Sequence, residues 1–233
     1  LGTEQSDLGR ETVQSDQGVT LVGGGRPSRP EIDRALALAP VLIAADGGAN
    51  FCLDEGLEPV AVIGDFDSVR PGARTALSGA RFLWVEEQES TDFEKCLTAI
   101  RAPFVLAAGF TDGRLDHTLA AFSVLVRTPG APTILVGRHD IAFAAPARLT
   151  LDVPPGLRLS LFPMAPVTGR SAGLRWPIEG LSLDPMGRIG TSNETTGPVR
   201  LSFDGPGCVV LMPPEALPSA LSALTAQGTV PER

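Results

Sequence analysis

The chain has 233 residues, 43% of them hydrophobic and 20% charged, which is enough apolar material for one large domain or two modest ones. Its formal charge of -8 argues against sequence-independent nucleic-acid binding through a basic surface, and its apolar runs break well short of the roughly 18 residues a membrane span needs. Three scattered cysteines (Cys52, Cys96, Cys208) and two histidines (His117, His139) assemble neither a zinc spacing nor a disulfide framework, as expected of a reduced, cytoplasmic protein.

Residues 1–17 are polar and mixed, lack the basic start and apolar centre of a signal peptide, and read as a flexible tail. Val19 to Val22 predicts a strand that runs into Gly23-Gly24-Gly25, where backbone amides can approach an anion closely. Ser28 and Glu31 form a capping box around Pro30, opening a helix to about Ala39. Val41 to Ala45 is the next strand and ends in Asp46-Gly47-Gly48-Ala49-Asn50, after which a helix runs to Gly56. The strand Val60 to Ile63 ends at Gly64 and is followed by Asp65-Phe66-Asp67-Ser68. In extended backbone Asp65 and Asp67 would share a face with Phe66 opposite, an arrangement suited to a hard cation such as magnesium, the plainer alternative being a polar turn.

A short helix from Pro71 to Leu77 and a strand from Arg81 to Val85 come next, with Trp84 assigned to the core. After the acidic Glu86-Glu87-Gln88-Glu89, Thr91 and Glu94 form a second capping box for a helix to about Ile100. Asp92 lies in its first turn, where either the helix dipole or a ligand explains a carboxylate. Phe104 to Ala108 is a strand, Gly109 to His117 a loop, and a helix to about Arg127 precedes the strand Thr133 to Val136. Strands alternating with helices over residues 18–140 predict a doubly wound, mostly parallel sheet whose distinctive loops gather at the carboxyl edge, where such folds bind ligands. Short β-rich runs punctuated by Gly and Pro over residues 145–214 predict a small antiparallel β-sandwich, and residues 215–233 a terminal helix and tail.

Of the 19 basic residues 18 are arginine, and the single lysine, Lys95, sits between Glu94 and Cys96, so a P-loop with its Gly-Lys-Ser/Thr is excluded. There is no G-x-S-x-G elbow, and two histidines are too few for a histidine-based metal site. Asp65, Asp67 and Asp92 can hold magnesium against the phosphates of a nucleotide, with Lys95 and Arg114 neutralising charge and Asp116 orienting or deprotonating a hydroxyl. Phosphate chemistry follows from these residues; the acceptor does not.

Five stretches in order then resemble the thiamine pyrophosphokinase family: Asp46-Gly47-Gly48-Ala49-Asn50, Gly64 to Ser68, Ser90 to Cys96, Gly113 to Ala120, and Thr191-Ser192-Asn193-Glu194. The resemblance spans roughly residues 19–212. It implies transfer of pyrophosphate from ATP to the hydroxyethyl group of thiamine, giving thiamine diphosphate and AMP, with Mg2+, in a homodimer whose sites lie between one subunit's α/β domain and the other's β-sandwich. It further implies metal ligation by Asp65, Asp67 and Asp92, and nucleotide and pyrophosphate handling by Asp46, Gly47, Gly48, Asn50, Lys95, Gly109, Arg114, Asp116 and His117. Gln88, Ser192 and Asn193 are implied as thiamine contacts, and Trp176 is either the aromatic that stacks on thiamine or a sandwich core residue. The family commonly has an Asn where this chain continues Leu119-Ala120-Ala121. A pterin pyrophosphokinase on a related fold, and a non-catalytic nucleotide or thiamine sensor, are the alternative functions.

Overall fold

The computed structural model describes residues 12–85 and 89–226. The elements in chain order are β1 (Val13–Gln14), β2 (Val19–Val22), α1 (Arg29–Leu36), β3 (Val41–Ala45), α2 (Gly48–Asp54), β4 (Ala61–Gly64), α3 (Ala73–Ala76) and β5 (Arg81–Trp84). There follow α4 (Asp92–Ala99), β6 (Ile100–Arg101), β7 (Val105–Ala108), α5 (Leu115–Arg127) and β8 (Thr133–Val136). The remainder is β9 (Ile141–Ala144), β10 (Arg148–Leu151), β11 (Arg158–Pro163), β12 (Val167–Leu174), β13 (Ser182–Leu183), β14 (Gly190–Phe203), β15 (Cys208–Met212) and α6 (Leu217–Thr225).

Six strands form a parallel sheet in the order β8-β7-β2-β3-β4-β5. The chain moves outward from β2 to β5, then returns to place β7 on the other side of β2, so the loops after β2 and β7 leave in opposite directions. Such a switch point opens a crevice at the carboxyl ends of the strands. Both faces of the sheet are covered, which is why its strands read as continuous apolar runs. On one face Val22, Leu42, Ala44, Val62, Leu106 and Val136 pack with Ile32, Ala35, Ala49 and Cys52 of α1 and α2. On the other, Leu21, Ile43, Ala45, Ile63 and Ala107 pack with Phe93, Cys96, Ala121 and Val124 of α4 and α5.

At β8 the sheet changes sense: β9 pairs antiparallel with β8, and β15, β11, β14, β12 and β13 continue beyond it. The long β14 pairs with β11 near its start and with both β10 and β12 towards its end. Leu149, Leu151, Leu159, Leu201, Phe203 and Val210 enclose one apolar core there, closed by Leu217 and Ala220 of α6. The predicted fold class, a parallel α/β region followed by antiparallel strands, is the one observed.

Four local expectations are altered. Within the stretch read as a tail, Val13–Gln14 pairs in parallel with Ile100–Arg101, and Val13 is buried. Trp84 is not core: β5 is the sheet's edge strand, Leu83 is its one fully buried residue, and Trp84 is 65% exposed. Thr91 Oγ1 accepts from the Glu94 N–H at 3.3 Å, but the Glu94 carboxylate bonds Arg127 of α5. The backbone between Asp65 and Asp67 is not extended, because Phe66 has φ 63°. Its ring packs edge-on against Phe82 at 5.4 Å, with the Arg74 guanidinium over both.

Candidate active site

The loops after β2, β3, β4 and β7, with the start of α4, enclose a cleft of about 1020 Å³. Its walls depend on absent side chains. A Cβ on Gly48 would lie 2.0 Å from the Val22 carbonyl, and one on Gly25 would lie 2.5 Å from that of Gly109. Gly109 has φ 81° and approaches Gly23 as closely, so the two loops at the switch point interlock through backbone alone. Gly24, Gly47 and Gly113 also line the cleft.

Asp46, Asp65 and Asp67 bring one carboxylate oxygen each within 4.8 Å of the others. The grouping adds Asp46 to the expected pair, because β3 and β4 are neighbours and the Asp46 N–H donates to the Ile63 carbonyl at 2.8 Å. Asp46 is 2% exposed, and its Oδ1 has no hydrogen-bond partner. Burial raises its pKa, and the charge of Asp92 adds to this; a hydrogen bond with Ser68 opposes both, while Asp67 and Asp65 raise it further. Asp67 accepts a bond from Ser68 Oγ at 2.8 Å. An orphaned buried oxygen among three converging carboxylates fits a hard divalent cation: the donors are all oxygen and the uncompensated charge is negative.

Lys95 lies beside that group. Its side chain is 3% exposed, and Nζ stands 2.9 Å from Asp65 Oδ2 and 3.4 Å from Asp92 Oδ1. Burial alone would lower its pKa, but the hydrogen bond to Asp65 and the charges of Asp92 and Asp65 prevail and raise it. Burial raises the Asp92 pKa too, against the lowering influence of Lys95. Asp92 therefore sits with Lys95, outside the 4.8 Å group.

Across the cleft, Arg114 precedes α5 and grips Asp116 with two bonds, Nε to Oδ1 at 3.1 Å and Nη2 to Oδ2 at 2.6 Å. The Arg114 hydrogen bond holds the exposed Asp116 carboxyl below its ordinary pKa, a state suited to orienting a guanidinium and poor for accepting a proton. His117 lines the cleft, as do Phe110, Asp112 and Arg26. Asn50 uses its carboxamide to hold the next loop, donating to Ser68 O at 2.8 Å and accepting from the Arg70 N–H at 2.9 Å. Gln88, Glu86 and Glu87 lie outside the described residues.

Ser192, Asn193 and Trp176 do not line the cleft of their own chain. Trp176 is 53% exposed, which removes the core alternative. The Asn193 carboxamide is engaged by backbone: Oδ1 accepts from the N–H groups of Trp176 (3.2 Å) and Glu194 (2.8 Å), and Nδ2 donates to Trp176 O at 2.7 Å. Arg175 stacks on the indole at 4.9 Å and reaches Glu194 at 3.5 Å. Asn193→Ala is expected to lose about 1 to 2 kcal/mol of stability through these bonds and to open Trp176 to acrylamide quenching in a Trp84→Phe background. Quenching and melting unchanged from the parent would show that this clip does not hold the indole.

Arg26 and Asp112 line the cleft without having been singled out in the sequence, and Ser68 only as the end of the Gly64 to Ser68 stretch. The signal for Arg26 and Asp112 is position, each lying within a few residues of the end of a predicted strand.

A family model described as "Thiamin pyrophosphokinase, catalytic domain" matches residues 32–135. Thiamine pyrophosphokinase 1 of Oryza sativa subsp. japonica is 28% identical over 189 residues, spanning 66% of this chain and 72% of the relative. Thiamin pyrophosphokinase 1 of Caenorhabditis elegans is 28% identical over 174 residues, spanning 66% and 71%. Thiamin pyrophosphokinase from Candida albicans superposes with a TM-score of 0.71 at 15% identity, covering 89% of this chain and 95% of that one. The protein from Geobacillus thermodenitrificans gives 0.69 at 22% identity, covering 84% and 96%.

Proposed function

We propose that this chain is a member of the thiamine pyrophosphokinase family and that it transfers the terminal pyrophosphate of ATP to the hydroxyethyl oxygen of thiamine. The new bond joins that oxygen to the β-phosphorus, the bond from the β-phosphorus to the α–β bridging oxygen breaks, AMP leaves and the hydroxyl proton is released. The observation that carries this reading is the carboxylate group Asp46, Asp65 and Asp67 beside a buried lysine, in a cleft at the sheet's switch point.

Asp46, Asp65 and Asp67, with Asp92 at the rim, are the residues that would hold magnesium. When bound, magnesium screens the triphosphate and favours departure of AMP. Lys95 bridges Asp65 and Asp92 and offsets their mutual repulsion. Arg114, aligned by Asp116, faces the cleft where negative charge moves during transfer, and His117 follows it on the same rim. The interlocked glycine loops, with Gly47, Gly48 and Gly109, leave room for a nucleotide against backbone. Asn50 supports the loop that carries Asp67.

The thiamine contacts belong to a second subunit in this proposal. Residues 18–140 form the nucleotide- and metal-binding domain, and residues 145–214 form the domain that presents Ser192 and the exposed Trp176 to a neighbour's cleft, while Gln88 keeps the thiamine-contact role that the resemblance implies for it. Size-exclusion chromatography with light scattering is expected to show a dimer; a fully active monomer would exclude a site completed by Ser192 and Trp176 from another copy. A cytoplasmic location accords with free cysteines that are all buried, and no helix among the described residues is long and apolar enough to cross a membrane.

The test is AMP release with ATP, magnesium and thiamine, each omitted in turn. AMP that depends on all three is expected. AMP with a pterin alcohol and none with thiamine would assign another acceptor, and binding of either ligand without AMP would make the protein a sensor.

A further inference from the structure

Four non-glycine residues among those described have left-handed backbone, and all lie in segments with candidate roles: Arg26 (φ 59°), Asp46 (φ 38°), Phe66 (φ 63°) and Ser192 (φ 60°). L-residues avoid this region, and such outliers persist where the surroundings over-determine them, often at functional sites. Three have visible partners. Asp46 joins the carboxylate group, Phe66 turns the chain between two of its members, and the Ser192 N–H donates to Ser160 Oγ at 3.0 Å.

Arg26 is the fourth. It follows three glycines, any of which would adopt the same φ without strain, and it precedes Pro27, which biases the residue before it towards extended backbone. The loop holds it there: the Gly25 N–H donates to Gly109 O at 2.9 Å, and Pro27 is buried against Gly109. Its side chain lines the cleft. Of the other cations there, Lys95 is committed to Asp65 and Asp92, and Arg114 to Asp116. Arg26 makes no ion pair or side-chain hydrogen bond among the described residues. The cleft presents Asp46, Asp65, Asp92 and Asp112 to an incoming polyanion, so an uncommitted guanidinium at its mouth has a specific use.

We propose that Arg26 is a further nucleotide-binding residue whose guanidinium takes phosphate oxygens of the polyphosphate tail. Its planar fork matches phosphate in two parallel hydrogen bonds, which a lysine cannot reproduce. This rests on the nucleotide reading of the cleft and not on the identity of the acceptor.

The test compares wild type, Arg26→Gly and Arg26→Lys as full chains, by calorimetry with a non-hydrolysable ATP analogue and magnesium, without thiamine. Glycine removes the charge and relieves the backbone together, so Arg26→Gly should bind the analogue about tenfold or more weakly while melting at the same or a higher temperature. Arg26→Lys should fall between, and adenosine should compete equally well for all three. Unchanged analogue affinity in Arg26→Gly, or weaker binding accompanied by a lower melting temperature, would overturn the assignment. Wild-type protein that binds the analogue but yields no thiamine-dependent AMP would refute the proposed acceptor and leave Arg26 in place; wild type that does not bind the analogue would overturn both.

Discussion

Asp67→Asn is expected to lower turnover by at least about 10²-fold with little change in melting temperature. Asp67 is exposed, so the fold does not depend on its burial, and an amide oxygen can still accept the Ser68 Oγ bond. What asparagine removes is one negative charge from a group of three carboxylates within 4.8 Å of one another. In magnesium-free buffer the variant should be at least as stable as wild type, because repulsion with Asp46 and Asp65 is relieved. The magnesium concentration for half-maximal rate should rise. Steady-state AMP production over a magnesium series, beside thermal melts with and without chelator, reads both effects. A near-normal rate would remove Asp67 from the metal shell.

Lys95→Met separates the structural role of the lysine from its charge. The side chain is 3% exposed and contacts Asp65, itself 16% exposed, at 2.9 Å. Removing one partner of a buried ion pair typically costs about 3 to 5 kcal/mol, since the remaining carboxylate stays desolvated and uncompensated. Asp92 is 39% exposed and contributes little to that sum because solvent screens it. Methionine fits the apolar stem, so the loss comes from charge. The variant should melt well below wild type in chelator and recover part of the difference when magnesium is added, through preferential binding to the folded state. Activity should fall with it, as Asp65 and Asp92 lose their common anchor. Equal melting temperatures for the two proteins in chelator would show that the lysine is not what offsets the acidic group.

The parallel core was legible because strands buried on both faces carry nearly continuous apolar runs. Val19–Val22, Val41–Ala45 and Thr133–Val136 fall where the pattern placed them. The clustering of loops was legible for a similar reason: in an open α/β sheet every loop that follows a strand emerges at one edge. Proximity across that edge was not legible. Nothing local to Asp46 says that its carboxylate meets Asp65 and Asp67, which depends on β3 pairing with β4 and on a left-handed Phe66. Trp84 shows the same limit, since an aromatic in an apolar strand becomes core or surface according to whether a strand lies beyond it. The polar residues of the antiparallel region were visible as a motif, but the Asn193 bonds to Trp176 join positions 17 apart and emerge only from the fold.

The central claim is that two phosphates move together from ATP to thiamine. ATP labelled at the γ-phosphate, incubated with thiamine, magnesium and the protein, tests it most directly. The account predicts label in thiamine diphosphate with one unlabelled AMP for each molecule formed. Label in thiamine monophosphate with ADP as co-product, or no transfer to thiamine at all, would contradict it.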